Sequence, residues 1–167
     1  MAQARRMVNF TKIIDRIKKA SDGAQIQKRR PLIGRMYAYG YIAKTRDKLP
    51  YWDAFPLVIP VEYTDNGFYG INLHYLDTQS RIRLLNILLP MNERKQNTKK
   101  VEISYQALKS LATTIWKPCF KRYLWTHVRT HFLHIPVMDW NEVVRIPVIS
   151  FRKGTASTVH ADSKRFK

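Results

Sequence analysis

The stretch Leu49–Leu76, LPYWDAFPLVIPVEYTDNGFYGINLHYL, constrains the fold most, because Asp65-Asn66-Gly67 sits between two runs rich in Val, Ile, Leu and Tyr. A short Asp/Asn/Gly segment between such runs is a strong hairpin signal. Register follows from keeping apolar residues on one face. A two-residue Asn66-Gly67 loop would set Glu62 against Ile71 and mix both faces. A three-residue loop with Gly67 left-handed instead aligns Tyr63 with Tyr69, Val61 with Ile71, Ile59 with Leu73 and Leu57 with Tyr75. The opposite face, with Val58, Pro60, Glu62 and Thr64 against Phe68, Gly70, Asn72 and His74, is then polar enough to meet solvent or a ligand. Pro60 has no N–H for the ladder, so its strand is expected at an edge or at a bulge.

Charge isolates this hairpin from its flanks. The 167-residue chain carries 30 Lys+Arg against 12 Asp+Glu, a formal net charge of +18. Residues 49–90 hold two basic and four acidic residues, whereas residues 1–48 hold 13 and three. Such an excess points to anionic partners, either nucleic acid or acidic protein surfaces. A hydrophobic content of 45% excludes global disorder, and the length suits one domain. The single cysteine, Cys119, leaves no internal disulfide. No run of about 18 apolar residues exists to span a membrane, and no secretory signal or internal repeat is visible.

Along the chain, Phe10, Ile13, Ile14 and Ile17 have helical spacing over residues 8–19, and a polar linker reaches Lys28-Arg29-Arg30. Residues 33–43 alternate as a strand, with Tyr37, Tyr39 and Tyr41 on one face. Those tyrosines could stack nucleobases, but a core role with hydroxyls at its edge is expected. Asp77, Thr78 or Ser80 caps a helix bearing Ile82, Leu85 and Leu89 that stops at Pro90. A basic loop over 92–100 contains Arg94, Lys95, Lys99 and Lys100, and a second helix starts at Ser104. Pro118 is expected to open a third helix to about Leu133. It would bury Phe120, Leu124, Val128 and Phe132 and gather Arg122, Trp125 and Arg129 on another face. Residues 140–151 read as an extended edge segment. The fold class expected is α+β: a small antiparallel sheet with a central hairpin, covered by about three helices. The domain spans 31–151, between a basic N-terminal helix and arm (1–30) and a basic tail (152–167) that orders against a partner.

No arrangement identifies a reaction. Cys119, His127, His131 and His134 are the metal-like group, but on one helix Cys119 would lie about 12 Å from His127 along the axis. Histidines flanking a packed stripe are therefore expected, with no metal or other cofactor. Glu93-Arg94-Lys95 has nuclease-like spacing but falls in a predicted loop, where a surface charge run is expected. Glu62 and His74 share the polar hairpin face, and acid/base work would need a cleft around them. The binding candidates are Lys28, Arg29, Arg30, Arg94, Lys95, Lys99, Lys100, Arg122, Trp125, Arg129, Arg152 and Lys153.

The hairpin stretch, KPCFKRYLWTHVRTHFLHI and the closing ADSKRFK together resemble a small virion or assembly protein family of large contractile-tailed bacteriophages. The resemblance runs from about Arg35 to the end and brings no functional residues with it. It implies a non-enzymatic structural protein of the tail, baseplate or neck, assembled in the host cytoplasm into the virion. Its partners would be other virion proteins with acidic surfaces, and DNA as a second partner. The alternative is a dedicated nucleic-acid-binding protein, such as one that binds DNA ends. A nuclease is the more distant alternative.

Overall fold

The computed structural model describes residues 30–93 and 117–164, together with Asp15, which is helical. The expected helix over 8–19, most of the linker, the 94–100 loop and the second helix at Ser104 lie outside the described residues. Within them the strands are β1 (Met36–Ala38), β2 (Trp52–Asp53), β3 (Leu57–Thr64), β4 (Gly67–Asn72), β5 (Phe120–Leu124), β6 (Leu133–Ile135) and β7 (Phe151–Arg152). The helices are α1 (Thr78–Glu93), α2 (Trp140–Val143) and α3 (Ala156–Lys164). An antiparallel sheet runs β5-β4-β3-β1-β6, and β2 pairs with β7 in a two-stranded sheet. This is the expected α+β class.

The hairpin forms, but its register differs from the expected one. Thr64 pairs with Gly67, so Asp65-Asn66 alone makes the turn, and neither residue takes a positive φ. Val61 is then an extra residue between the Pro60–Gly70 and Glu62–Tyr69 pairs. A turn without positive φ matches the twist of its strands poorly, and a bulge adds twist. Gly67 serves another purpose than a left-handed turn. A Cβ on it would lie 1.8 Å from the Tyr123 carbonyl oxygen of β5. The missing side chain lets β5 approach, and the turn is fastened there by Trp125 N–H to the Asn66 carbonyl (3.0 Å) and by Arg122 to Asn66 Oδ1 (2.8 Å). Pro60 sits at the bulge, as its lack of an N–H requires.

Both faces of the sheet are buried. One carries Met36, Ala38, Leu57, Ile59, Val61 and Ile71 into a core with Leu84, Leu85 and Leu88 of α1 and with Trp140, Val143 and Val159. Each such leucine contributes about 1.5–3 kcal/mol on burial. The face expected to be polar instead holds a second core of Tyr37, Tyr39, Tyr41, Val58, Phe68, Tyr123 and Val128. Tyr39 lies at its centre, with ring centroids 4.7 Å from Phe132 and 5.6 Å from Tyr123. The tyrosine alternation therefore builds a core; two of the hydroxyls reach its rim, where Leu32 N–H donates to Tyr37 Oη (3.0 Å) and Leu124 N–H to Tyr41 Oη (3.3 Å), whereas Tyr39 is buried whole.

Four other expectations are corrected. Residues 118–133 are not a helix. Phe120–Leu124 adds β5 to the hairpin edge, followed by a 3-10 turn at Trp125–His127 and then β6. Aromatic residues favour strands, and an open β4 edge outweighs local helical spacing. Helix α1 starts where Asp77 Oδ1 accepts from Ser80 N–H (2.8 Å), but it continues through Pro90 to Glu93. The expected tail folds back as α3, with Val159 fully buried, and residues 140–143 are helical rather than extended.

Arg81 locks these parts together. Its buried guanidinium donates to the carbonyls of Leu76 (2.7 Å), Val144 (2.9 Å) and Ile146 (3.1 Å). Desolvation lowers its pKa to about 10, so it stays cationic at neutral pH. Among the described residues no helix is long and apolar enough to cross a membrane.

Candidate nucleic-acid-binding cleft

An open cleft of about 650 Å³ lies where β2, β4, β5 and α3 meet, with the loop after Tyr41 as its outer wall. Its aromatic lining comes from Tyr41, Tyr51, Trp52, Tyr75 and Tyr123, and its cations are Lys44, Lys117, Lys121 and Arg122. Asp53 is the one acid among the described lining residues. The sequence brings these groups together through pairing. β5 places Lys121 opposite Gly70, on the same face as Tyr123 and Asn72, so lysine and tyrosines project into one hollow.

Asp53 organises the floor and is almost fully buried. Its Oδ1 accepts from Ser150 Oγ (2.5 Å) and Phe55 N–H (3.1 Å), and its Oδ2 from Asn72 Nδ2 (3.0 Å) and His74 Nδ1 (2.8 Å). Burial opposes its ionisation. The charge and hydrogen bond of His74, with those from Ser150 and Asn72, outweigh that and hold the carboxyl below its ordinary value. Asn72 also donates to Tyr123 Oη (3.0 Å), which carries the network to the cleft wall. The cluster is not a nucleophilic relay. Ser150 Oγ lies 3.3 Å from Nδ1, the same His74 nitrogen that meets Asp53, whereas a relay needs serine and carboxylate on opposite ring nitrogens.

The sequence-derived candidates are distributed unevenly. Arg122 lines the cleft. Trp125 is half-buried, its ring tilted at 33° to that of Phe68 with centroids 5.1 Å apart, and Arg30 lies over it at 5.6 Å, which joins two residues that the sequence held far apart. They border a smaller cavity of about 120 Å³ with Val128 and Phe132. Arg129 and Arg152 are exposed, away from the cleft lining. Lys153 is engaged elsewhere: at φ 64 it turns Nζ onto the carbonyls of Arg46 (2.7 Å), Asp47 (3.2 Å) and Leu49 (3.4 Å), and so ties down the outer wall. Lys28, Arg29, Arg94, Lys95, Lys99 and Lys100 lie outside the described residues.

Among the described residues no three metal-binding side chains come together. Cys119 is buried, with its thiol pushed up to about 12 by desolvation, and His127 Nδ1 bonds the Ile42 carbonyl (2.8 Å). Glu93 ends α1 rather than sitting on a core strand, and His74 meets Asp53 rather than Glu62. Sequence reasoning missed Asp53, Lys121 and the Tyr51-Trp52 wall. Asn72 and His74, two residues apart on one hairpin face, were the available signal for a buried acceptor.

A family model described as the phage T4 terminal DNA protecting protein matches residues 2–163. No curated protein and no solved structure matches. The match takes in the N-terminal arm, which the resemblance to contractile-tailed phage proteins left out. Its description favours the DNA-end-binding alternative and gives no support to a place in the tail, baseplate or neck. With the match covering nearly the whole chain, the protein belongs to the phage T4 terminal DNA protecting protein family.

Proposed function

We propose that the protein binds the ends of phage DNA and shields them by occupancy, without a chemical step. The observation that carries this reading is the cleft in which four cations and five aromatic side chains converge, in a chain of net charge +18 from a family described by protection of terminal DNA. Cations neutralise phosphates without regard to sequence, and the half-buried rings of Tyr51 and Trp52 can each hold a base for about 1–3 kcal/mol. Neither contact depends on base identity. A protein for DNA termini needs that indifference, together with a recess that continuous duplex cannot enter. The basic candidates from Lys28 to Arg30 and from Arg94 to Lys100 would add contacts to the DNA backbone.

Competition measures this directly. With a labelled linear duplex bound, unlabelled linear DNA is expected to compete at least about tenfold better, per molecule, than a covalently closed circle of the same length. Affinity should fall steeply between about 50 and 200 mM salt, as release of several counterions requires. Equal competition by the closed circle would refute end binding.

A further inference from the structure

Lys121 is the unusual group in the cleft. Its ammonium lies 4.0 Å over the Tyr75 ring, and among the described residues no carboxylate or hydrogen-bond acceptor meets it. Asp53, the acid in the same lining, already has both oxygens engaged by four donors. Burial accordingly lowers the Lys121 pKa from its ordinary value. Taking a cation part-way out of water is costly, and an incoming anion relieves that cost. Lys117 and Arg122, on either side along the chain, give the same cleft further positive charge.

The cleft is of ligand size: about 650 Å³ lies within the range of small-molecule sites and has room for a nucleotide. A terminal phosphomonoester carries about −1.5 to −2 charge near neutrality, more than the single charge of an internal phosphodiester. Resting on the end-binding reading above, we propose that the cleft takes the unpaired terminal nucleotide of a DNA end, its phosphomonoester on Lys121 and its base against Tyr51 and Trp52. Internal duplex offers neither a free nucleotide nor a phosphomonoester, so the cleft itself discriminates ends from continuous DNA.

The full-length chain, titrated with single-stranded trinucleotides bearing a 5′-phosphate, a 3′-phosphate or none, tests this by intrinsic tryptophan fluorescence. One phosphorylated form is expected to bind at least about tenfold tighter than the unphosphorylated one, and which form does so identifies the strand terminus received. Lys121→Met should reduce that ratio to below about twofold while leaving the far-UV circular dichroism unchanged. If that variant does not fold, Lys117→Gln, at an exposed position, should lower the ratio partway, and an unchanged ratio there overturns the proposal. Equal binding of all three trinucleotides by wild type, or an unchanged ratio in folded Lys121→Met, also overturns it. Should those failures occur while linear DNA still outcompetes closed circles, the terminal-nucleotide site is wrong and end binding stands. Loss of the linear preference itself would instead refute the underlying function.

Discussion

Gly67→Ala should cost at least about 3 kcal/mol, beyond the usual penalty for one added methyl group in a packed site. The new Cβ would lie 1.8 Å from the Tyr123 carbonyl oxygen and 2.8 Å from its carbonyl carbon. Both are backbone atoms of a paired strand, so no rotamer change relieves the clash. β5 must withdraw from β4, which loosens the Phe68–Tyr123 and Gly70–Lys121 pairs and with them the cleft wall. Urea denaturation of the two proteins measures the cost. A loss below about 0.5 kcal/mol would show that β5 does not approach as closely as described. Substitution at Gly70 should be milder, because its Cβ would meet a side-chain methyl, Val58 Cγ1, at 2.4 Å.

Asp53→Ala should be comparably severe, at about 3–5 kcal/mol near neutral pH, because four donors lose one buried acceptor. Its effect should also depend on pH in a defined direction. The folded-state pKa of Asp53 is depressed below 3.8, so its ionised form stabilises the fold above that value. The contribution is lost as pH falls below about 4 toward the folded-state pKa. Wild type and variant should thus differ most above pH 5 and converge in acid. Thermal melts at pH 7, 4 and 3 check this. A stability gap that is constant across those values would mean that folding leaves the pKa of this carboxyl unchanged.

The sequence made legible what depends on local chemistry. Asp65-Asn66-Gly67 announced a hairpin, the tyrosine alternation from Tyr37 to Tyr41 separated two faces, and Asp77 marked the start of α1. What remained hidden depended on groups distant in the chain. Gly67 looked like a turn residue because glycine suits positive φ, whereas its use is the approach of β5 from 56 residues away. Residues 118–133 carried an apolar pattern compatible with a helix, and only the open edge of β4 decides for a strand. That one misassignment concealed the cleft, since on a helix Lys121 would be another surface charge. Asp53 stood as a lone acid beside Tyr51 and Trp52, and nothing local shows that Ser150, Asn72 and His74 converge on it. The basic C-terminal segment read as a tail because its apolar content is low, yet Val159 and Ala156 pack α3 on the core, and its Ser163 Oγ donates to the Tyr75 carbonyl (2.9 Å) beside the cleft.

This division sharpens the functional picture. Charge was visible at once and pointed only to anions, while the recess that could tell a DNA end from continuous duplex is a product of the fold. Lys153, a plausible phosphate ligand by composition, holds the cleft wall, and Lys121, unremarked in the sequence, faces into it.

Exonuclease resection reads out whether the protein acts at DNA ends. Linear duplexes of two lengths, equal in number of ends, are digested by an end-dependent exonuclease with increasing amounts of the protein. Full-length DNA is expected to persist once the protein is a small multiple of the ends, at the same amount for both lengths. Resection at the unprotected rate, or a requirement for protein that scales with DNA length, would contradict it.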